Sequence, residues 1–310
     1  MKSILVIGSF MTDLVIQSDR FVNEGETLIG NSFGQFTGGK GANQAVAAAR
    51  LGGTVEMIGK LGTDSFGKDQ IASLEANGIA HSHVMFTDKT SSGIGNPQLD
   101  CNGRNRIVIV PGANFTFTSE QLIALEDVIK ESDIIILQLE IPIDTVYEAI
   151  KLGKRNGKIV LLNPAPAQKL DLHYAPMVDY IIPNEHEVVQ LTGGIVADTE
   201  PHIRGAAEAL LKQGYNNVLI TLGEKGSYFK NASTEINVPA YKVKAIDTTA
   251  AGDSYVGAFA YGVANDWSIE KTMRYAAAAS ALTVTKMGAQ PSLPSKDEVD
   301  HFLEERKTAI

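Results

Sequence analysis

Residues 133–162 read DIIILQLEIPIDTVYEAIKLGKRNGKIVLL. Two short runs, Ile134–Leu137 and Ile159–Leu162, are apolar at every position, and an amphipathic pattern, Ile143–Asn156, lies between them. A strand buried on both faces loses the polar alternation of a half-exposed one, so this stretch predicts two parallel strands joined through a helix. Similar apolar runs occur at Ile4–Ile7, Val55–Ile58, Tyr180–Ile182 and Val218–Leu222. Helical patterns fall at Ala42–Leu51, Phe66–Asn77, Ser119–Lys130 and Ile203–Gln213. The alternation implies an α/β chain with a mostly parallel central sheet covered by helices on both faces. Two Ala-rich helical stretches, Gly252–Asn265 and Ile269–Met287, fill most of the last third.

Leu14–Phe36 and Thr90–Pro111 break this rhythm with strand and turn patterns and no helix. They are expected to pair with each other as a small antiparallel sheet, which must cover something because so few strands cannot bury both faces alone. The 310 residues suit one large domain or a domain with an insertion. A net charge of −9 argues against a broad nucleic-acid surface, which needs clustered Lys and Arg. The lone Cys101, read as an unreactive thiol near a turn, excludes an intrachain disulfide and fits a reducing cytoplasm. The opening MKSILVIGSFM reads as a first strand rather than a signal peptide, and no apolar run reaches transmembrane length. His81 and His83 read as surface residues.

Four segments carry chemistry. In GGKGANQAVAAARLGG (38–53), glycines permit close backbone approach, and Lys40 and Asn43 stand at a helix entrance that favours anions and hydroxyls. A tight strand-to-helix turn explains the same spacing. In DTTAAGDS (247–254), Ala250, Ala251 and Gly252 leave backbone N–H groups bare at a helix start, a nest for developing negative charge. Asp253 beside them is placed either to accept a proton from a hydroxyl attacking phosphorus or to cap the helix. PNEHE (183–187) sets Asn184 and Glu187 after a strand end, where Glu187 could orient magnesium-bound water. TLGEKG (221–226) reads as a nucleotide contact or as a bare hairpin turn.

These segments, with LNPAPA (162–167), together resemble the ribokinase family of the phosphofructokinase B superfamily of carbohydrate kinases, from Ile4 to about Phe302. The resemblance implies a three-layer α/β/α domain over 1–310 that transfers a phosphoryl group from ATP to the 5-hydroxyl of D-ribose. Asp253 would be the base, with the Ala250–Gly252 amides as the anion hole. Asp13, Gly39, Lys40, Asn43 and Glu140 would hold the sugar. ATP would lie along Asn184, Thr221, Gly223, Gly226 and 242–252, with Glu187 organising Mg²⁺. A monovalent cation, K⁺, would be held by Asp247, Thr249, Thr283, Lys286, Gly288 and Ser292, although an ordinary helix-ending loop also accounts for KMGAQPS (286–292). The 14–36 and 90–111 segments would form a lid over the sugar and the clasp of a homodimer.

Two departures from the family pattern stand out. Met11 occupies a position where many ribokinases carry Asn, and Met offers a sugar hydroxyl almost nothing. Either 2-deoxy-D-ribose becomes acceptable, or Met11 only packs. In SSGIGNPQLDCNG (91–103), Pro97 lacks an N–H, so the lid strand is expected to be interrupted near Asn96–Pro97.

Overall fold

The structure, a computed structural model, describes residues 1–307. The last three positions of the domain anticipated over 1–310 lie outside the described residues. The chain begins with β1 (Ile4–Ile7), β2 (Met11–Gln17), β3 (Ser32–Gly38) and α1 (Lys40–Arg50). It continues through β4 (Val55–Ile58), β5 (Lys60–Gly62), α2 (Ser65–Ala76), β6 (Met85–Thr87), β7 (Gly93–Leu99) and β8 (Asn105–Val110). The middle holds α3 (Ser119–Ile123), α4 (Glu126–Glu131), β9 (Ile134–Leu137), α5 (Ile143–Arg155), β10 (Ile159–Leu162) and β11 (Tyr180–Ile181). Next come α6 (Glu185–Thr192), α7 (Glu200–Lys212), β12 (Asn217–Thr221), β13 (Ser227–Lys230) and β14 (Glu235–Val238). The chain closes with α8 (Ala251–Ala264), α9 (Ile269–Thr283) and α10 (Lys296–Lys307).

The central sheet has the order β14-β13-β12-β11-β10-β9-β1-β4. All six apolar runs read from the sequence take their places in it as parallel strands. β13 and β14 add an antiparallel edge; the hairpin turn that TLGEKG allowed leads into it, but the two strands themselves were not anticipated. Successive residues of each buried strand point to opposite faces. Ile4, Val6, Ile134 and Ile136 therefore pack into one core with α1, α8 and α9, while Leu5, Ile7, Ile135 and Leu137 join α5 and α7 in a second. The pattern 119–130 forms two short helices rather than one, because the chain bends at Ala124–Leu125.

One core face is held together by backbone meeting backbone. An added Cβ at Gly41 in α1 would lie 2.5 Å from Ser9 N, and one at Gly257 in α8 would lie 2.7 Å from Gln44 O. The two helices that carry the candidate catalytic residues thus pack closer than any side chain would permit.

The small sheet has the order β3-β2-β7-β8. Its two hairpin-like pairs are antiparallel, but the expected antiparallel joint between the two segments is a parallel β2–β7 pair. β7 runs through Pro97, and the interruption anticipated there is one-sided. The β7–β8 ladder is continuous, whereas the β2–β7 register passes from Asp13↔Gly95 to Ile16↔Gln98. Pro97 has no N–H to give, and the Asn96 side-chain amide instead donates to Leu14 O at 2.8 Å. Cys101 is exposed beyond the end of β7. No helix among the described residues is long and apolar enough to cross a membrane.

Candidate active site

The carboxyl ends of the parallel strands open onto a cleft of about 200 Å³, where open α/β sheets bind ligands. Lys40, Asn163, Asn184, Glu187 and Thr221 line one part of it; Thr248 and Ala250–Asp253 line the other. Ala250 sits in the left-handed region (φ 59°, ψ 9°) and turns the chain into α8, whose N-terminus has no side-chain cap. The first N–H groups of a helix have no intrahelical acceptor, so this turn offers free donors and the positive end of the helix dipole. Ala251 is the weakest of them, since its N–H already closes a turn on Thr248 O at 3.3 Å. An added Cβ at Gly252 would meet nothing within 4 Å. The space that this glycine leaves open is therefore not filled by protein.

Asp253 is buried in the first turn of α8 and does not cap it. Its Oδ2 accepts from Asn43 Nδ2 and its Oδ1 from Gln44 Nε2, each at 2.9 Å. Two amide donors fix the plane of the carboxylate. Gln44 also donates to Asn163 Oδ1 at 3.0 Å and accepts from Gln138 Nε2 at 2.6 Å. Sequence reasoning assigned no role to Gln44, Gln138 or Asn163. Gln44 follows Asn43 on the same helix entrance, a signal that could have been used. Asn43 Oδ1 is buried without a partner, an acceptor beside the carboxylate for a ligand hydroxyl.

The GGKG turn answers to both readings made of it. Gly39 has φ 92°, and a Cβ there would lie 2.6 Å from Met11 N, so the turn itself demands glycine. The turn also delivers Lys40 to the cleft. Burial lowers the Lys40 pKa, but the Asp253, Glu140 and Glu187 carboxylates outweigh it and hold the ammonium above its ordinary value. Glu140 serves as a remote cap for α1, accepting from Lys40 N at 3.0 Å and from the Ser9 hydroxyl at 2.6 Å.

Asp13 lies on β2 between Gly38 and Gly95, where an added Cβ would stand 3.0 and 2.4 Å from its carboxylate oxygens. Burial, then the Glu140 and Asp253 charges, push its pKa up to about 6. Met11, two residues earlier on the same face of β2, is buried. Its sulfur is 3.9 Å from Asn114 Nδ2, whose amide is committed to Phe10 O and Pro111 O at 2.7 and 2.9 Å.

Asn184 and Glu187 form a reciprocal capping box on α6. Asn184 Oδ1 accepts from Glu187 N at 2.8 Å, and Asn184 N donates to Glu187 Oε2 at 2.8 Å. Burial raises the Glu187 pKa against the opposing pull of that N–H and of Lys40. Thr221 ends β12 and bridges to Asn184. Gly223 and Gly226 do not line the cleft. They shape the β12–β13 hairpin, and a Cβ at Gly226 would lie 2.1 Å from Val238 O, which is reason enough for a glycine there.

The residues expected around a monovalent cation lie on two touching loops. Asp247 Oδ1 accepts from Thr249 N and Oγ1 at 2.9 and 2.7 Å, and its Oδ2 from Gly288 N at 2.8 Å. Burial raises the Asp247 pKa, but these bonds outweigh it and leave the carboxyl below the usual range. The Thr283 hydroxyl donates to Ser254 Oγ at 2.8 Å, behind the Ala250–Gly252 turn, and the Ser292 hydroxyl to Ala289 O at 2.7 Å. The Lys286 ammonium turns away to Glu298, leaving only its carbonyl for such a role. Among the described residues no cluster of three or more His, Cys, Asp or Glu side chains is arranged for a metal. The Asp247, Thr249 and Ser292 side chains there offer oxygen donors, the kind a hard cation takes.

Residues 1–296 match the sequence profile of the pfkB family carbohydrate kinases. A deoxyribokinase of Salmonella typhi is 42% identical over 301 residues, 97% of this chain and 98% of that protein. A ribokinase of Lactococcus lactis is also 42% identical, over 98% of both chains. Among solved structures, Arabidopsis thaliana ribokinase complexed with ribose and ATP aligns at a TM-score of 0.93 with 31% identity, covering 98% of this chain and 99% of that one. Thermotoga maritima ribokinase aligns at 0.90 with 36% identity, covering 98% and 100%. The chain belongs to the pfkB family of carbohydrate kinases and is a sugar kinase with the ribokinase-like fold.

Proposed function

We propose that this kinase transfers the γ-phosphoryl group of ATP to the 5-hydroxyl of D-ribose. The observation that carries the reading is Asp253, a buried carboxylate oriented by Asn43 and Gln44 at the mouth of an open helix N-terminus. Asp253 accepts the hydroxyl proton as the oxygen attacks phosphorus. The Ala250–Gly252 turn receives the transferring group, with Gly252 supplying the space and a free N–H, and Lys40 adds positive charge from the facing wall. Asp13, Gly39, Asn43 and Glu140 hold the sugar hydroxyls. Thr221 and Asn184 border the nucleotide, and Gly223 and Gly226 support them from the hairpin. Glu187 would orient the waters of Mg²⁺, which neutralises phosphate charge when bound. K⁺ would be held by Asp247 and by oxygens of Thr249, Thr283, Lys286, Gly288 and Ser292, adding positive field behind the anion hole.

The whole chain forms one domain in this reading, with the small sheet as a lid that excludes water. The lid also serves as a homodimer clasp, supported by an apolar outer strand, Ile107–Val110, that is more than half exposed at each residue. A cytoplasmic location completes the reading. Because Met11 places a thioether beside Asp13, and the nearby Asn114 amide is already spent, 2-deoxy-D-ribose is a second substrate. Measuring kcat/KM for ribose, 2-deoxyribose, fructose and adenosine tests the reading. The pentoses should lead, and Met11→Asn should shift the ratio toward ribose. Absence of turnover on either pentose would refute it, and a strong ribose preference that Met11→Asn leaves unchanged would remove the second substrate.

A further inference from the structure

Gln290 lies outside the cleft, yet it joins its two sides. Its side chain is buried at 3% exposure. Oε1 accepts two hydroxyl hydrogen bonds, from Thr37 at 2.7 Å and from Ser73 at 2.6 Å. Its backbone carbonyl accepts from Arg50 Nη1 at 2.7 Å, and the same nitrogen donates to Leu293 O at 2.8 Å. Thr37 belongs to β3, immediately before the Gly38–Gly39 turn. Ser73 belongs to α2, and Arg50 ends α1, whose other end carries Lys40 and Asn43. Three sugar-side elements therefore converge on one residue.

Two residues before Gln290, the Gly288 N–H donates to Asp247 Oδ2, and Asp247 organises the loop leading to Ala250. A Cβ at Gly288 would lie 3.6 Å from the Phe36 ring of β3, so this loop and the lid strand already touch. A continuous path runs from the sugar-side turn through Thr37, Gln290 and Gly288 to Asp247 and the anion-hole turn. Gln290 Nε2 is buried without a hydrogen-bond partner. The side chain thus meets both hydroxyls as an acceptor.

We infer that Gln290 is a positioning residue that couples sugar binding to the geometry of the phosphoryl-binding turn. The inference rests on the assignment of Gly39 and Asn43 to the sugar and of the Asp247–Asp253 loop to the phosphoryl group. A sugar that settles β3 fixes Thr37, and through Gln290 it fixes the loop holding Asp247. The nucleotide then meets a formed cradle, and by linkage it strengthens sugar binding by the same factor.

The test is D-ribose affinity measured calorimetrically with and without a non-hydrolysable ATP analogue and Mg²⁺. In the wild-type protein the analogue should tighten ribose binding about tenfold, within the usual range of such couplings. Gln290→Met keeps the length and removes the acceptor, and should bring the ratio below about twofold. Gln290→Glu keeps an acceptor for both hydroxyls, exchanges the amide donor for a second, charged carboxylate oxygen, and should retain the ratio in the folded protein. Thr37→Val breaks the β3 arm alone, should also lose the coupling, and keeps the idea testable should Gln290→Met fail to fold. A merely structural role would lower thermal stability and both affinities without changing their ratio. A wild-type ratio near one, an unchanged ratio in Gln290→Met or Thr37→Val, or its loss in Gln290→Glu would overturn the inference. Failure of the wild-type protein to bind or phosphorylate ribose would instead overturn the functional reading beneath it.

Discussion

Substituting Gly252 by Ala separates catalysis from folding. Gly252 lies in the first turn of α8, and an added Cβ there meets no protein atom within 4 Å. The folded protein therefore has no steric objection. A helical Gly→Ala change instead stabilises by roughly 0.5–1 kcal/mol, because the unfolded chain loses freedom. For a chain of this size that raises Tm by about 1–3 °C. In the proposed function, the methyl group projects into the space that would receive the transferring phosphoryl group. Losing one well-placed donor in an anion hole lowers kcat by about 10²–10³-fold, or about 2.7–4 kcal/mol. Gly252→Ala should match that loss at saturating ribose and ATP. Calorimetry and a coupled ADP-release assay on one preparation give both quantities. A kcat within about twofold of wild type would show that the space is not used by the phosphoryl group. A Tm lowered by more than about 3 °C would show that the space is needed for folding.

Three further outcomes follow from the same geometry. Asp253→Asn should lower kcat by about 10²–10⁴-fold, the usual contribution of a general base. It should also cost about 1–3 kcal/mol of stability, since one of the Asn43 and Gln44 amides then faces another amide; an equally active variant would remove Asp253 as the base. The Asp13 pKa is raised from 3.8 to about 6, so the native state holds this proton more tightly than the unfolded chain. Its contribution to stability is therefore greatest at low pH and is lost as pH rises through about 6, while ribose, needing the ionised acceptor, should bind about tenfold more weakly per pH unit below that value. A ribose KM that is flat across this range, or that rises equally toward low pH in Asp13→Asn, would refute the role. Ile107→Lys with Ile109→Lys on the exposed lid strand should yield monomers by sedimentation, and an unchanged molecular mass would remove that strand from the dimer contact.

The six buried strands were legible because short apolar runs of three to five residues, alternating with helical patterns, have few alternatives. β13 and β14 were not, because SYFK and EINV at a sheet edge mix polar and apolar residues like any surface hairpin. The parallel β2–β7 pairing joins segments about 80 residues apart and leaves no local signature. Asp253 and Asn43 could be nominated from their positions at helix starts. That Asp253 does not cap its helix is settled only by the amides of Asn43 and Gln44, which arrive from a helix some 210 positions earlier. The Gln44–Gln138–Asn163 network is spread across three elements, so spacing could not reveal it. Gly226 shows the opposite case. TLGEKG was open between a nucleotide contact and a bare hairpin turn, and the backbone of Val238–Ala240 alone already demands a glycine at 226.

The close passage of Gly41 past Ser9 and of Gly257 past Gln44 limits how this enzyme can change its substrate range. Any side chain at either position would push α1 away from β1 or from α8, and the Asn43–Asp253 and Gln44–Asp253 bonds would part. On the proposed function, selection for new sugars is thereby steered away from the floor of the site and toward the small sheet, where Met11 and its strand neighbours can vary while Asn43 and Asp253 stay in register. Libraries built on the lid should return altered specificities in folded proteins, whereas libraries built on the α1–α8 contact should return mostly inactive ones.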